Sequence, residues 1–202
     1  MPTNVWVVTV EATFADIAIA EPCSWHGANQ ATHCHAVLFR RPSPRRADVG
    51  RARLHVSLEE PLAQPAWELP LIANGEGTVS ASSFIGRVTY LDFWASWCGP
   101  CRLSLPALNR LSQEFASQDF GVVAISVDYV DEDALDFLAR YPVDYPVAID
   151  KTGDSGRAFS VAGMPSGYLI GRDGFIREVH VGFRRGDEAL LREKIAELIR
   201  ES

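Results

Sequence analysis

Cys98 and Cys101 are separated by Gly99 and Pro100, and two thiols at that spacing can close a small disulfide ring, so the pair can pass between dithiol and disulfide. The apolar run Val88 to Ala95 precedes them and reads as a strand. Leu105, Leu108, Leu111 and Phe115 follow at helical spacing, which puts the first cysteine where a strand runs into a helix. There the helix dipole and its unpaired N–H groups stabilise a thiolate, and such positions lower a thiol pKa from about 8.5 into the range of about 3.5 to 7.5. Cys98 is therefore the expected nucleophile. Cys101, one turn further in and more buried, is the expected resolving thiol. Pro100 suits a first helical turn and stiffens the ring, Gly99 keeps the approach to the sulfur open, and Pro106 is expected to kink the helix. A zinc site combining this pair with Cys23 and Cys34 is the competing reading, and Gly-Pro between the cysteines at a strand-to-helix junction favours redox exchange over it.

Asp92 stands inside the apolar run Val88 to Trp94. A carboxylate is costly to bury without a task, and burial raises its pKa into a range fit for proton transfer. The plainer alternative is a carboxylate merely satisfied by hydrogen bonds.

The elements that must position these residues follow from apolar periodicity. Beyond the first strand and helix, Gly121 to Asp128 reads as a second buried strand, Asp131 to Tyr141 as a helix, and Val147 to Asp150 as a short strand. The acids Asp131, Glu132 and Asp133 fit the positive end of that helix and are read as structural. A weaker helix over Asp154 to Val161 leads to a strand Ser166 to Ile170. A turn at Gly171-Arg172-Asp173-Gly174 then leads to a strand Phe175 to Val181, and an amphipathic helix Asp187 to Arg200 closes the chain. This alternation predicts an α/β layer fold. The boundary of the ordered domain is expected near residue 65, with residues 1–65 a poorly ordered extension and 66–202 the domain. Cys23, His26, His33, Cys34 and His35 in that extension match no closed metal site, and the Arg run from 40 to 53, which opens with the Arg/Pro run Arg40 to Arg46, reads as a solvated tail in preference to a contact for an acidic surface. His180 is read as structural.

The chain has 202 residues, 47% of them hydrophobic, and a formal charge of −7. That is enough to bury a core, and the acidic balance disfavours nucleic acid as a partner. Four cysteines are too few for a disulfide scaffold. No run reaches the roughly 20 apolar residues of a membrane helix. Glu11 and Asp16 interrupt the apolar stretch from Val5 to Ala20, and no basic residue precedes it, so no export signal is read there.

The segment Asp92-Phe93-Trp94-Ala95-Ser96-Trp97-Cys98-Gly99-Pro100-Cys101 resembles the active-site segment of thioredoxins, and Gly163-Met164-Pro165 resembles that family's cis-proline loop. Glu68-Leu69-Pro70-Leu71 and the insertion around residues 131–150 look more like the TlpA/ResA-like branch. The resemblance implies a thioredoxin fold: a central mixed β-sheet flanked by helices on both faces, with an N-terminal hairpin and a central αβ insertion. It implies a cis Pro165 beside the disulfide, Met164 and Ser166 on the substrate surface, Trp97 facing substrate and Trp94 in the core. It also assigns Asp92 the acid-base role serving Cys101. The TlpA/ResA-like branch often carries a Glu three residues after the second cysteine, where this chain has Ser104. The Lys that often accompanies the strand Asp is expected to be replaced near Ile125.

The expected function is protein thiol-disulfide exchange through a Cys98/Cys101 dithiol-disulfide cycle. Gly-Pro between the cysteines resembles the reducing members, with potentials near about −270 mV, more than oxidants near about −120 mV. Reductase is thus favoured. A thiol peroxidase and a non-enzymatic binding module are the alternatives. The expected partners are a disulfide-containing protein and an electron donor, with no cofactor, no metal, no nucleic acid and no membrane span, and the expected state is a monomer. Absence of a readable signal points to the cytoplasm, whereas the resembling branch is commonly found in the cell envelope.

Overall fold

A computed structural model describes residues 55–201 of the chain. Its centre is the run of seven buried residues Val88–Trp94, here β4, which pairs in parallel with the equally buried β5, Phe120–Ser126. Runs apolar on both faces belong in the middle of a sheet covered on both sides. A third parallel strand, β6 (Val147–Ile149), extends the sheet beyond β5, and β7 (Ser166–Ile170) lies antiparallel to β4 on its other side. A Gly-Arg-Asp-Gly turn joins β7 to β8, Phe175–Val181, with Gly174 at φ 81° supplying the left-handed position the turn needs.

Two N-terminal elements complete the sheet. The hairpin of β2 (Glu68–Ala73) and β3 (Thr78–Ser80) pairs through β2 with β6. At the opposite edge β1, His55–Ala63, pairs antiparallel with β8. The spatial order is β1-β8-β7-β4-β5-β6-β2-β3. The expected boundary near residue 65 therefore moves. A nine-residue strand lies inside the segment taken as an extension, and the compact unit containing the sheet runs from Arg53 to Ser202. The N-terminal Cys/His cluster and the Arg/Pro run lie outside the described residues.

Helices cover both faces. Four helices are described: α1 (Cys101–Glu114), α2 (Asp131–Arg140), α3 (Asp154–Ala158) and α4 (Asp187–Arg200). Leu105, Leu108 and Leu111 of α1, Phe137 of α2 and Leu191 and Ile195 of α4 share one core cluster with Val88, Tyr90, Trp94 and Val122 of the sheet. The other face packs Leu91, Phe93, Val123 and Ile125 against Trp67, Phe84 of a short 3-10 helix (Ala81–Phe84), and Phe159 just after α3. Alternate residues of β4 thus divide between two cores, as the period of a strand requires.

The acids Asp131, Glu132 and Asp133 occupy the first turn of α2, the position expected for them. No helix among the described residues is long and apolar enough to cross a membrane.

Candidate active site

β4 delivers the chain to a turn over residues 95–100 and then into α1. The Cys98 N–H donates to the Ala95 carbonyl at 3.0 Å, and the Pro100 carbonyl accepts from the N–H groups of Leu103 and Ser104 at 2.9 and 3.3 Å. Cys101 is therefore the first residue of α1, and Cys98 stands just ahead of the first turn. The sequence suggested Cys98 at the helix N-terminus and Cys101 a turn further in, whereas the helix opens at Cys101 itself. They are bonded to each other, with S–S 2.01 Å and Cα–Cα 5.4 Å. Cys98 is 4% exposed and Cys101 is fully buried. Gly99 and Pro100 are exposed, and a Cβ built on Gly99 meets no atom within 4 Å, so nothing crowds the approach at Gly99.

Around the ring the aromatic residues separate as the resemblance implied. Trp97 is 69% exposed, while Trp94 is fully buried against Phe137. The Met164–Pro165 peptide bond is cis. Pro165 precedes β7, whose first residue Ser166 lies opposite Phe93, so the proline stands at the end of the sheet from which β4 leads to Cys98. Its carbonyl accepts from the Gly182 N–H at 2.8 Å. Met164 is half-buried and packs against both cores. Ser166 does not line an open surface: it is fully buried, and its hydroxyl donates to the Gly163 carbonyl at 2.7 Å.

Asp92 lies on the β4 face that carries Val88, Tyr90 and Trp94, the face that packs with Cys98, Cys101 and Leu105. It is 1% exposed, and its Oδ2 has no hydrogen-bond partner. Burial alone pushes its carboxyl well above the usual carboxylate range. Two tyrosines near it, Tyr90 and Tyr145, are raised well above their ordinary value by burial and then by the Asp92 charge. Tyr145 donates to the Leu105 carbonyl at 3.3 Å. Ser104 is buried in α1, with its hydroxyl 3.5 Å from the Cys101 carbonyl, so the carboxylate of this region comes from the strand and not from that helix position. The residue beside Asp92 on β5 is Ala124, whereas Ile125 pairs with Phe93 and belongs to the other core. Of the residues near Ile125, Ala124 is thus the one beside Asp92, because a one-residue step along a strand changes face.

One organising residue escaped sequence reading. Asp128, 3% exposed, accepts the Ser96 N–H at 2.9 and 3.2 Å on its two oxygens, and the hydroxyls of Ser96 and Ser126 at 2.8 Å each. It ties the turn before the cysteines to the end of β5. Next to it Tyr129 and Val130 are 83% and 46% exposed, at the same end of the parallel strands as Trp97. A Ser-Val-Asp at a strand end looks like any turn, and only the partner 32 residues away gives it meaning. Among the described residues no group of three or more His, Cys, Asp or Glu side chains is placed to hold a metal ion.

Comparison with known proteins agrees with this geometry. Thiol-disulfide oxidoreductase ResA of Bacillus thuringiensis is 31% identical over 96 residues, covering 48% of this chain and 56% of that protein. The chain thus matches little more than half the length of that curated relative. Thiol:disulfide interchange protein DsbE of Pseudomonas fluorescens is 33% identical over 65% of this chain and 71% of that one. The crystal structure of a candidate thiol:disulfide interchange protein DsbE from Chlorobium tepidum superposes with TM-score 0.66 at 40% identity, over 71% of this chain and 99% of that one. The Redoxin family profile matches residues 59–195, a stretch that holds the whole sheet beyond the start of β1 as well as the cysteine pair, and the chain belongs to the Redoxin family.

Proposed function

We propose that this protein is a thiol-disulfide oxidoreductase working as a protein-disulfide reductase. The observation that carries the reading is the bonded Cys98–Cys101 pair at the start of α1, with an isolated buried carboxyl, Asp92, on the facing strand. In the dithiol form the positive end of α1 favours the Cys98 thiolate. That thiolate attacks one sulfur of a substrate disulfide; the substrate S–S bond breaks, a Cys98–substrate mixed disulfide forms, and the departing substrate sulfur takes a proton from water. Cys101 then gives its proton to the Asp92 carboxylate and attacks Cys98. The second substrate thiolate leaves, and the enzyme holds the Cys98–Cys101 disulfide. Two electrons pass to the substrate, and an external dithiol donor returns them.

Substrate docking falls to what surrounds the ring. Exposed Trp97, Gly99 and Pro100 offer an open apolar approach, and Met164 with cis Pro165 forms the adjacent border, where an extended segment can pair with the backbone. Reduction of insulin disulfides by dithiothreitol, with and without the protein, tests the reading. Acceleration by the wild type that is abolished in Cys98→Ser supports it; no acceleration by the wild type overturns it. A peroxide-consumption assay run beside it separates the thiol peroxidase alternative, and the bonded Cys98–Cys101 pair beside exposed Trp97, Gly99 and Pro100 favours the disulfide substrate.

A further inference from the structure

The proposed cycle loads and unloads a proton on Asp92 in every turnover, yet Asp92 is 1% exposed. Something must connect it to water. The sheet register supplies a candidate. Gly167 of β7 lies directly opposite Asp92 of β4 on one side and directly opposite His180 of β8 on the other. Residues opposite one another in antiparallel pairs point to the same face with Cβ atoms about 5 Å apart. Asp92, Gly167 and His180 therefore form one row across the face that packs on α1 and α4, and the middle position has no side chain.

The gap is filled by Tyr90. A Cβ built on Gly167 would lie 1.9 Å from the Tyr90 hydroxyl and 2.3 Å from the ring carbon that bears it. The phenol thus lies over the glycine, with its hydroxyl between the Asp92 and His180 columns. Beyond it, His180 Nε2 stands 3.4 Å from Asp187 Oδ2, and the His180 side chain is 13% exposed. The row begins at the buried acid and ends at a histidine whose Nε2 is buried beside Asp187 and whose side chain as a whole is 13% exposed.

We propose that the Tyr90 hydroxyl and the His180–Asp187 pair form the route by which Asp92 exchanges its proton with water. After resolution Asp92 holds the proton taken from Cys101. The Tyr90 oxygen accepts that proton, directly or through one water, as its own hydroxyl proton passes to the His180 imidazole. The Asp187 carboxylate stabilises the imidazolium, which releases the proton to solvent. No electron moves in this step, and the phenol ends as it began. The groups facing Asp92 and Tyr90 from the packed elements are Cys101 of α1, Tyr145 ahead of β6, Glu178 and His180 of β8, and Asp187 at the start of α4. Of these only His180 carries an imidazole, the side chain type that both takes up and gives up a proton most readily around neutral pH, which fits it for the exit. Tyr90 and His180 are positioning residues here, since both act through Asp92.

This inference rests on the reductase reading and is tested by splitting the cycle. Formation of the mixed disulfide is followed in a Cys101→Ser background, and resolution by Cys101 is followed in single turnovers of the intact pair. Tyr90→Phe keeps the ring over Gly167 and removes only the hydroxyl. The expected result is mixed-disulfide formation within twofold of its parent and resolution slowed by about tenfold at pH 7, less than the roughly 100-fold that a group acting directly on the reacting atoms contributes, because Tyr90 acts through Asp92, with a larger solvent isotope effect. His180→Gln should slow resolution in the same direction, and Tyr90→Phe should add less than twofold in an Asp92→Asn background, because the route then has no proton to carry. Resolution at the wild-type rate and pH profile in both single variants overturns the proposal. Equal slowing of both half-reactions also overturns it, since that marks a packing role. If Tyr90→Phe does not fold, His180→Gln decides alone. Failure of wild-type insulin reduction would strike the functional reading instead, which is a separate result.

Discussion

Burial of Asp92 gives that residue a pH signature opposite to that of a salt-bridged carboxylate. Its folded-state pKa lies above the unfolded one because the charged form is desolvated with no partner on Oδ2. The sign follows by linkage. Below about pH 4 the carboxyl is neutral in both states and has no effect on stability. As pH rises the unfolded chain ionises first, and stability falls until the folded-state carboxyl also ionises. Asp92→Asn should therefore be more stable than wild type at pH 8 by at least ~1 kcal/mol, with the two converging near pH 4, as read from urea midpoints at both values. The same variant should slow resolution by Cys101 and flatten its dependence on pH between about 6 and 9, with the Cys98 attack unaffected. Asp92 was legible because a lone acid in an apolar strand is a visible anomaly. Its environment was not: the isolation of Oδ2 and the phenol over Gly167 depend on register across three strands, which no local pattern encodes.

The elements from β4 onward were readable because each is an unbroken apolar run or a clean helical period, and their ends fall within a residue or two of the expected places, apart from α3, which stops at Ala158, short of Val161. β1 was not. Its sequence contains adjacent acids and Pro61, which mark a loop in most contexts, but an edge strand has one face and one backbone side to leave unpaired and tolerates both. The residue facing Asp92 could be read only to the neighbourhood of Ile125 for a related reason: in β5 every side chain is buried, so no alternation tells which one faces Asp92. Asp128 is the element-level feature with the largest expected effect. Its carboxylate holds the β4–α1 turn to β5, and Asp128→Ala leaves the Ser96 N–H without that acceptor. We expect a loss of about 2–3 kcal/mol, which in a domain of this size lowers Tm by roughly 4–12 °C, together with a reduced kcat/KM for insulin. Calorimetry and the insulin assay check both parts, and an unchanged Tm would refute the tie.

At the scale of the whole molecule, the edge strand makes a claim about where the domain starts. We propose that residues 53–202, the unit that includes β1, carry the activity without help from residues 1–52. A chain starting at residue 53 should keep wild-type insulin reduction. One starting at residue 66 strips the β8 edge of its partner and should melt at least about 5 °C lower, a loss of roughly 2 kcal/mol. Equal melting of the two would show that β1 contributes nothing to the fold. Whole-chain composition was informative mainly by exclusion, whereas the topology that brings β4, β7 and α1 to one end of the sheet is what turns two thiols into a site. The proposed cycle depends most on the state of one sulfur there. Titration of the reduced protein, followed by the thiolate absorbance and by the rate of alkylation at Cys98 and Cys101 separately, tests it directly. The expected result is that Cys98 ionises with a midpoint below about 7.5 while Cys101 remains protonated well above that value. A Cys98 midpoint at or above about 8.5, that of an unassisted thiol, would contradict it.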